Sequence, residues 1–569
     1  DNEPEWFGAE LAAVALGGVV TGVFTDAIPS EVQYIVDQSD SKFVVAKDQE
    51  QVDKLLALKA NLPQVVKVMY WEAKGLLNYD DPILMSFEQV IELGKEYEQR
   101  HPGFFEQSID QSKEDDIALI FYTSGTTGEQ PKGVLRSHKS VIKMLEIMIK
   151  VLPYKEDDRY LSFIPPGWGW EQVFGLVGWL VVGHILYFPE GPNTVDGNMR
   201  EVAPTILSMG ARFWESIAST TQAKINDTSP FNRFLYNLAM PIGYKMGELS
   251  FRKKNPNLFW RTLRGLSWLI VFRPLTDNFG IGHVRVALTA GAPLSPDAFK
   301  FFHGMGIDLR QIYALGETGF ASCHRDGAIK PESIGQITPE TEVEISEKGE
   351  ILVKTDANFQ GYYKNPELTK KTLIDGWVHT GDAGHFDEEG HLIFYDRMQD
   401  MVELADGTRF SPGYIEGRLR FSPYIKDCMV TAGKDKSYVT AIIDIDFENM
   451  GKWAENHHLA YTTFLDLSQK PEIYSVTRKE VERVNRTLPE SAQIKKYFHL
   501  HKEFDADEAE LTRTKKLRRG FIEKRYKQMI DALYEGRSEL NAETEVKYRD
   551  GRRGIVKASI KVEELGRAA

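Results

Sequence analysis

The run Tyr122-Thr123-Ser124-Gly125-Thr126-Thr127-Gly128-Glu129-Gln130-Pro131-Lys132-Gly133 concentrates the groups a polyphosphate needs. It follows the apolar stretch Ile117-Ala118-Leu119-Ile120-Phe121 directly, and a helical pattern from about 137 to 151 comes after it. Glycines admit positive φ, so successive backbone N–H groups can converge on an anion. The hydroxyls add donors and Lys132 adds a cation. A solvated Ser/Thr/Gly loop would explain the composition, but not its place between strand and helix together with the lysine. The ordinary P-loop is excluded, because neither Gly125 nor Gly128 is followed at the required spacing by Gly-Lys-Ser/Thr.

Other reactive types carry less. Cys323-His324 is expected to be a buried thiol beside a surface imidazole, since sequence neighbours on a strand face opposite ways. His457-His458 and His499/His501 lack a third metal ligand at useful spacing. Leu511-Thr512-Arg513-Thr514-Lys515-Lys516-Leu517-Arg518-Arg519 taken alone reads as a solvated basic face.

These groups need a scaffold of some size. The chain has 569 residues and a net charge of −14, which argues against broad nucleic-acid binding, where a basic face must replace counterions. Cys323 and Cys428 are its only cysteines, so no disulfide framework or CxxC motif exists and a reducing interior is expected. Strand patterns at 117–122, 159–163, 185–188, 284–288 and 309–313 alternate with helix-length segments, which predicts an α/β fold with layered, largely parallel sheets. The apolar span Val173–Phe188 is too short and too Gly-rich to cross a membrane, and reads as a buried helix followed by a buried strand. Beyond about Asp400 short strands mix with charged helices, as in a smaller α+β unit. Val546/Tyr548 and Ala558/Ile560/Val562 flank Asp550-Gly551 in a hairpin pattern. The chain opens on Asp1 without an initiator Met and reads as starting inside a domain.

The 122–133 run resembles the phosphate loop of the adenylate-forming superfamily, which contains acyl-CoA synthetases, luciferases and peptide-synthetase adenylation domains. It departs by having two residues, Glu129-Gln130, where the family usually has one. Further motifs follow in the family's order. Ala290-Gly291-Ala292-Pro293 resembles the segment that packs on adenine. Gln311-Ile312-Tyr313-Ala314-Leu315-Gly316-Glu317-Thr318 resembles the segment whose Tyr stacks on adenine and whose Glu helps to hold Mg²⁺, with Gly316 in place of a Thr. Trp377-Val378-His379-Thr380-Gly381-Asp382 implies that Asp382 meets the ribose. Tyr395-Asp396-Arg397-Met398-Gln399-Asp400 implies Arg397 on the ribose and a hinge at Asp400, with Gln399 where Lys is common. Glu416 matches an acidic position read as structural. The 511–519 run then aligns Lys516 with the family's catalytic lysine, Arg513 replacing a Pro.

The resemblance therefore implies catalysis through Lys516, Glu317 and Lys132. Nucleotide contacts would come from Thr123, Ser124, Gly125, Thr126, Thr127, Gly128, Lys132, Gly291, Ala292, Tyr313, Asp382 and Arg397. Expected domains are a large adenylation domain over 1–398 lacking its first strands, a small mobile domain over 399–540, and a tail hairpin over 541–569. Trp168 and Trp170 are acyl-pocket candidates. Pro204-Thr205 with Arg212-Phe213-Trp214-Glu215, and the helical insertion at 231–278, resemble long-chain fatty acyl-CoA synthetases. A medium- or long-chain acid, MgATP and CoA are the implied reactants. The alternatives are a ligase to a carrier-protein thiol and a catalytically weak nucleotide-binding relative. Residues 251–276 hold six basic and no acidic residues, interleaved with aromatics, which reads as a packed helix pair with a solvated basic face or as a peripheral contact with a membrane surface. A cytoplasmic enzyme, peripheral at the inner membrane surface, is the expected setting.

Overall fold

Strand Ile117–Thr123 lies largely buried between Val20–Thr21 and Lys132–Ser137 in a four-stranded sheet that ends at Gly361–Tyr362. This computed structural model describes residues 2–123, 130–506, 508–512, 515–547 and 553–566. Lys132–Ser137 pairs antiparallel with the first strand, Thr123 opposite Lys132. The strands on either side of the phosphate-loop segment thus pair with one another, where the sequence reading runs from loop straight into helix. The helix His138–Ile149 begins only after this second strand, capped by Ser137, whose hydroxyl accepts from the Ser140 N–H at 3.2 Å. Arg136, a charge within the strand, disguises its apolar character in the sequence. It is fully buried.

A seven-stranded sheet runs in the order Gln336–Ile337, Gly319–Cys323, Leu309–Leu315, Val286–Ala290, Ile206–Gly210, Arg159–Leu161, Ile185–Tyr187. Its inner strands are parallel and its end at 309–337 is antiparallel. Side chains alternate along each strand. Ile206, Val286, Leu288 and Ile312 join a core shared with the 117–123 strand and the helix His138–Ile149. Leu207, Ala287 and Leu309 join a second core beneath the helices Ala211–Asn226 and Pro296–Met305. The 173–188 span is a buried π-helical turn, Gln172–Val177, then a short helix and the edge strand. Trp179, Leu180, Val181 and Ile185 face solvent, so its second half is not buried as the sequence suggests.

From about residue 400 a separate core surrounds a five-stranded sheet ordered Ile425–Thr431, Val439–Ile445, Ile494–His499, Arg553–Glu564, Glu539–Lys547. The two strands of the tail read as a hairpin belong to this sheet. They pair antiparallel, and Arg553–Glu564 covers the edge of Ile494–His499, an edge that would otherwise leave unpaired backbone donors. Glu416 ties the unit together: it accepts from the Val430 N–H at 2.7 Å and pairs with Arg519. Among the described residues no helix is long and apolar enough to cross a membrane.

Trp214 is fully buried, packs edge-to-face on Phe302 at 4.9 Å and donates to the Leu288 carbonyl at 3.0 Å. Trp214→Ala should lower the stability of the large unit by about 3–5 kcal/mol, read as an earlier first transition in urea; an unmoved transition would contradict this packing.

Candidate active site

A cavity of about 700 Å³ opens where three sheets of the large unit meet the small one. Each wall comes from a strand end. Thr123 ends its strand and Lys132 begins the next, directly opposite. Gly291 follows strand Val286–Ala290 with φ +83, a conformation that L side chains avoid, and lies beside Trp168. Gly316 and Glu317 follow strand Leu309–Leu315, and Arg397 ends strand Leu392–Arg397. Trp168 and Trp170 form an aromatic wall with centroids 6.3 Å apart.

Lys516 reaches this cavity from the other end of the chain. Local bonds hold it: Leu511 and Leu517 bridge antiparallel, Thr512 and Lys516 exchange backbone and side-chain bonds at 2.8 and 3.0 Å, and Lys515 sits at φ +58. The small unit is held in place by ion pairs across the junction. Arg420 meets Glu215 at 3.0 Å, Arg212 meets Asp427 at 2.8 Å, and Asp297 receives Arg418 at 3.1 Å and Arg483 at 3.3 Å.

Tyr313, Asp382, Ala292 and Asp400 stand outside the lining. Tyr313 and Asp382 lie buried behind the wall, the tyrosine donating to Asp382 Oδ2 at 2.5 Å. Arg397 pairs with Asp382 Oδ1 at 3.0 Å and donates to the Thr380 carbonyl at 3.0 Å. Burial pushes the Asp382 carboxyl up, and Arg397 opposes that. Ala292 lies beside Gly291 outside the lining, while Gly316 and Gln399, two departures from the expected motifs, line the cavity. Asp400 sits in the turn after Arg397, its N–H on the Arg397 carbonyl at 3.0 Å. Ser124, Gly125, Thr126, Thr127 and Gly128 lie outside the described residues.

Two residues that sequence reasoning passed over belong here. Tyr362 lines the cavity and donates to Glu317 Oε1 at 2.6 Å, which fixes the carboxylate. Its signal was Gly361-Tyr362-Tyr363-Lys364-Asn365-Pro366, a turn-rich run whose Gly361 stands at φ +129. Arg136 donates to the carbonyls of Gly316 and Ala357 and so pins the Glu317 loop from below. Burial draws its guanidinium down to about 10, against the field of Glu317. A lone charge inside an apolar strand pattern was the available clue.

Cys323-His324 corrects an expectation. His324 is as buried as the thiol, because it donates or accepts at Lys330, Ser333 and the Gln311 N–H. Burial pushes Cys323 up to about 12 and His324 down to about 3, so neither ionises near neutrality and the pair is no nucleophile and base.

Residues 1–363 match the profile of the family described as AMP-binding enzyme, and residues 399–538 that of the AMP-binding enzyme C-terminal domain. Among curated relatives, a long-chain-fatty-acid–CoA ligase of Mycobacterium bovis, FadD15, is 24% identical over 537 residues, covering 93% of this chain and 86% of its own. An anthranilate CoA ligase, AuaEII, solved with anthranoyl-AMP, superposes with a TM-score of 0.66 at 17% identity, over 93% of this chain and 87% of its own. The adenylation domain of a carboxylic acid reductase from Segniliparus rugosus, solved with AMP and a co-purified carboxylic acid, gives 0.66 at 18%, over 94% and 81%. The two structural likenesses speak for the fold.

Burial and the neighbouring Arg397 draw the half-buried Lys516 amine down to about 8, against the pull of Asp382. Both disfavour the charged form, so Lys516 is an ammonium below about pH 8 and neutral above it. Competitive labelling with a limiting amine reagent, mapped by mass spectrometry, should show a midpoint near pH 8 at this site against about 10.4 for an ordinary lysine. A midpoint of 10 or above would contradict the placement.

Proposed function

The chain belongs to the AMP-binding enzyme family, and on that premise we propose that it is an AMP-forming acid–thiol ligase. It activates a medium- or long-chain fatty acid with MgATP and passes the acyl group to CoA. The observation that carries this reading is the meeting of Lys516 with Thr123, Lys132, Glu317 and Arg397 around one cavity. Such a set suits attack by a carboxylate oxygen on the α-phosphorus of ATP. One P–O bond forms to the acid, the bond to pyrophosphate breaks, and negative charge accumulates on the oxygens between. Positioning and fixed cations then supply most of the acceleration.

In this mechanism Lys132 and the Ser124–Gly128 loop hold the phosphates. Arg397, backed by Asp382, meets the ribose, and Gly291, backed by Ala292 and Tyr313, meets the base. Lys516, as an ammonium, stands by the reacting carboxylate and α-phosphate oxygens. Mg²⁺ takes hard oxygen ligands, commonly one or two carboxylates plus substrate phosphates. Glu317, a carboxylate on the cavity wall with one oxygen steadied by Tyr362, fits that requirement and would hold it. The ion, when bound, neutralises phosphate charge. Among the described residues no three His, Cys, Asp or Glu side chains cluster around a metal, so the nucleotide's own oxygens would complete the shell.

The second step needs a thiol where Lys516 stands. We take residues 399–540 as the small mobile domain, turning about Asp400 against 1–398, so that the lysine withdraws and the CoA sulfur attacks the acyl carbonyl. The C–S bond forms, AMP leaves, and the thiol proton passes to solvent. Trp168 and Trp170 suit an apolar acyl chain, and the likeness to a long-chain-fatty-acid–CoA ligase supports the same class of acid. The buried thiols of Cys323 and Cys428 suit work in a reducing, cytoplasmic setting.

Pyrophosphate–ATP exchange across a panel of carboxylic acids, with CoA or a carrier-protein thiol as acceptor, tests the reading. Exchange should rise with fatty acids of medium or long chain, and thioester should appear on CoA. Thioester on the carrier alone would make the chain a carrier-protein ligase, and no exchange with any acid would leave only a nucleotide-binding relative. Lys516→Ala should cut acyl-adenylate formation by roughly 10²–10³ while sparing thioester formation from supplied acyl-adenylate; equal loss in both would remove its assigned role. Asp400→Pro, which stiffens the junction, should slow the overall reaction more than the exchange, and an unchanged overall rate would remove the hinge.

A further inference from the structure

Lys516 reaches the cavity from the small unit, and its ammonium has physical reasons to leave again. Burial and Arg397 disfavour the charged form, Asp382 opposes them, and Arg212 adds to the repulsion. A long lysine stem gives such a charge an easy way out into water. The bonds nearest to it do not prevent that by themselves. The bridge between Leu511 and Leu517, the bonds between Thr512 and Lys516, and the Arg518 N–H on the Glu510 carbonyl at 2.9 Å all lie within residues 510–518. They tie the segment to itself and not to the unit that carries it.

Glu510 supplies that second tie. It is fully buried, and both carboxylate oxygens are held twice. Oε2 accepts from the Lys502 ammonium at 2.6 Å and from the Asp505 N–H at 3.0 Å, both in the stretch after strand Ile494–His499. Oε1 accepts from the Tyr526 hydroxyl at 2.6 Å and meets Arg525 at 3.3 Å, at the end of the helix Arg519–Arg525. One carboxylate thus joins the chain before the lysine to the helix after it. Leu511 and Leu517 pack on the same apolar core as Tyr526, but apolar contact tolerates sliding and directed bonds do not. Arg525 and Lys502 also pair with Glu508, at 2.5 and 3.2 Å, so neither cation is orphaned when Glu510 is replaced. For charge balance Glu510 is redundant. For direction it is not.

We propose that Glu510 is the positioning residue for Lys516, its buried carboxylate setting where the lysine segment stands against the cavity. What the lysine does there rests on the ligase reading; where its amine sits does not. The full chain is made with Glu510→Gln and with Tyr526→Phe, which removes one bond to the carboxylate and keeps the ring in the core. Competitive amine labelling should move the Lys516 midpoint from about 8 in the parent toward about 10.4 in Glu510→Gln, and part of the way in Tyr526→Phe. Pyrophosphate exchange should fall by roughly 10² in Glu510→Gln, as a small misplacement of a reacting group predicts, while transfer to CoA from supplied acyl-adenylate keeps the parent rate. Tyr474→Phe is the comparison. It loses a buried bond to the Lys561 carbonyl in the same unit, and should lower stability yet leave the midpoint near that of the parent. Should Glu510→Gln fail to fold, Tyr526→Phe decides. The proposal is overturned by a midpoint that stays at the parent value in both variants, by one that moves as far in Tyr474→Phe, or by a parent midpoint of about 10 or above. Absent exchange in the parent chain would instead strike the ligase reading and leave the midpoints to decide on Glu510.

Discussion

The pairing of Arg397 with Asp382 is the constraint on which the site depends. Asp382 is withdrawn from water while Arg397 still reaches the cavity, and Arg397 is the last residue of its strand before the chain turns toward the small unit. A buried carboxylate without its cation costs several kcal/mol, so the strand end cannot drift from its neighbour without paying that penalty. Tyr313 adds a third anchor from the seven-stranded sheet. The same pair also sets the field around Lys516, whose amine is disfavoured as a cation by Arg397 and favoured by Asp382. One charge balance thereby joins two sheets, the junction and the lysine.

The junction is built from the same kind of contact. Glu215 and Asp427 are almost fully buried, and burial pushes Glu215 up, yet Arg420 and Arg212 reach them from opposite sides of the boundary. Pairs of this kind add little net stability compared with apolar packing, because desolvation offsets most of the attraction. They do specify one arrangement, since any displacement leaves charges buried and unpaired. An apolar seam would tolerate sliding. A seam of ion pairs has a definite closed position and re-hydrates its charges when it opens.

Much of the site was legible because nucleotide chemistry restricts residue type. Small residues at 290–292, a carboxylate at 317, an acid at 382 and lysines at 132 and 516 are types that packing alone has no reason to prefer in that order. What stayed hidden was hidden for local reasons. The strand Lys132–Ser137 contains a buried arginine, and its partner lies on the far side of the phosphate-loop segment, so no window of sequence shows its pairing. His324 looked exposed because alternation puts it opposite Cys323, but both faces of that strand are covered. The tail hairpin gave no sign that it would complete the small unit's sheet, because edge pairing depends on which strand is left uncovered.

Composition, order of motifs and periodicity were enough to identify a layered α/β protein with a smaller second unit and to nominate the residues around a nucleotide, because each of those features is written in nearest neighbours along the chain. Only the folded chain decided that Lys516 lines the same cavity as Glu317, that Tyr362 and Arg136 brace that carboxylate's loop, and that the insertion leaves large apolar side chains exposed. Those outcomes rest on which distant surfaces exclude water from one another, and a linear pattern does not contain that information.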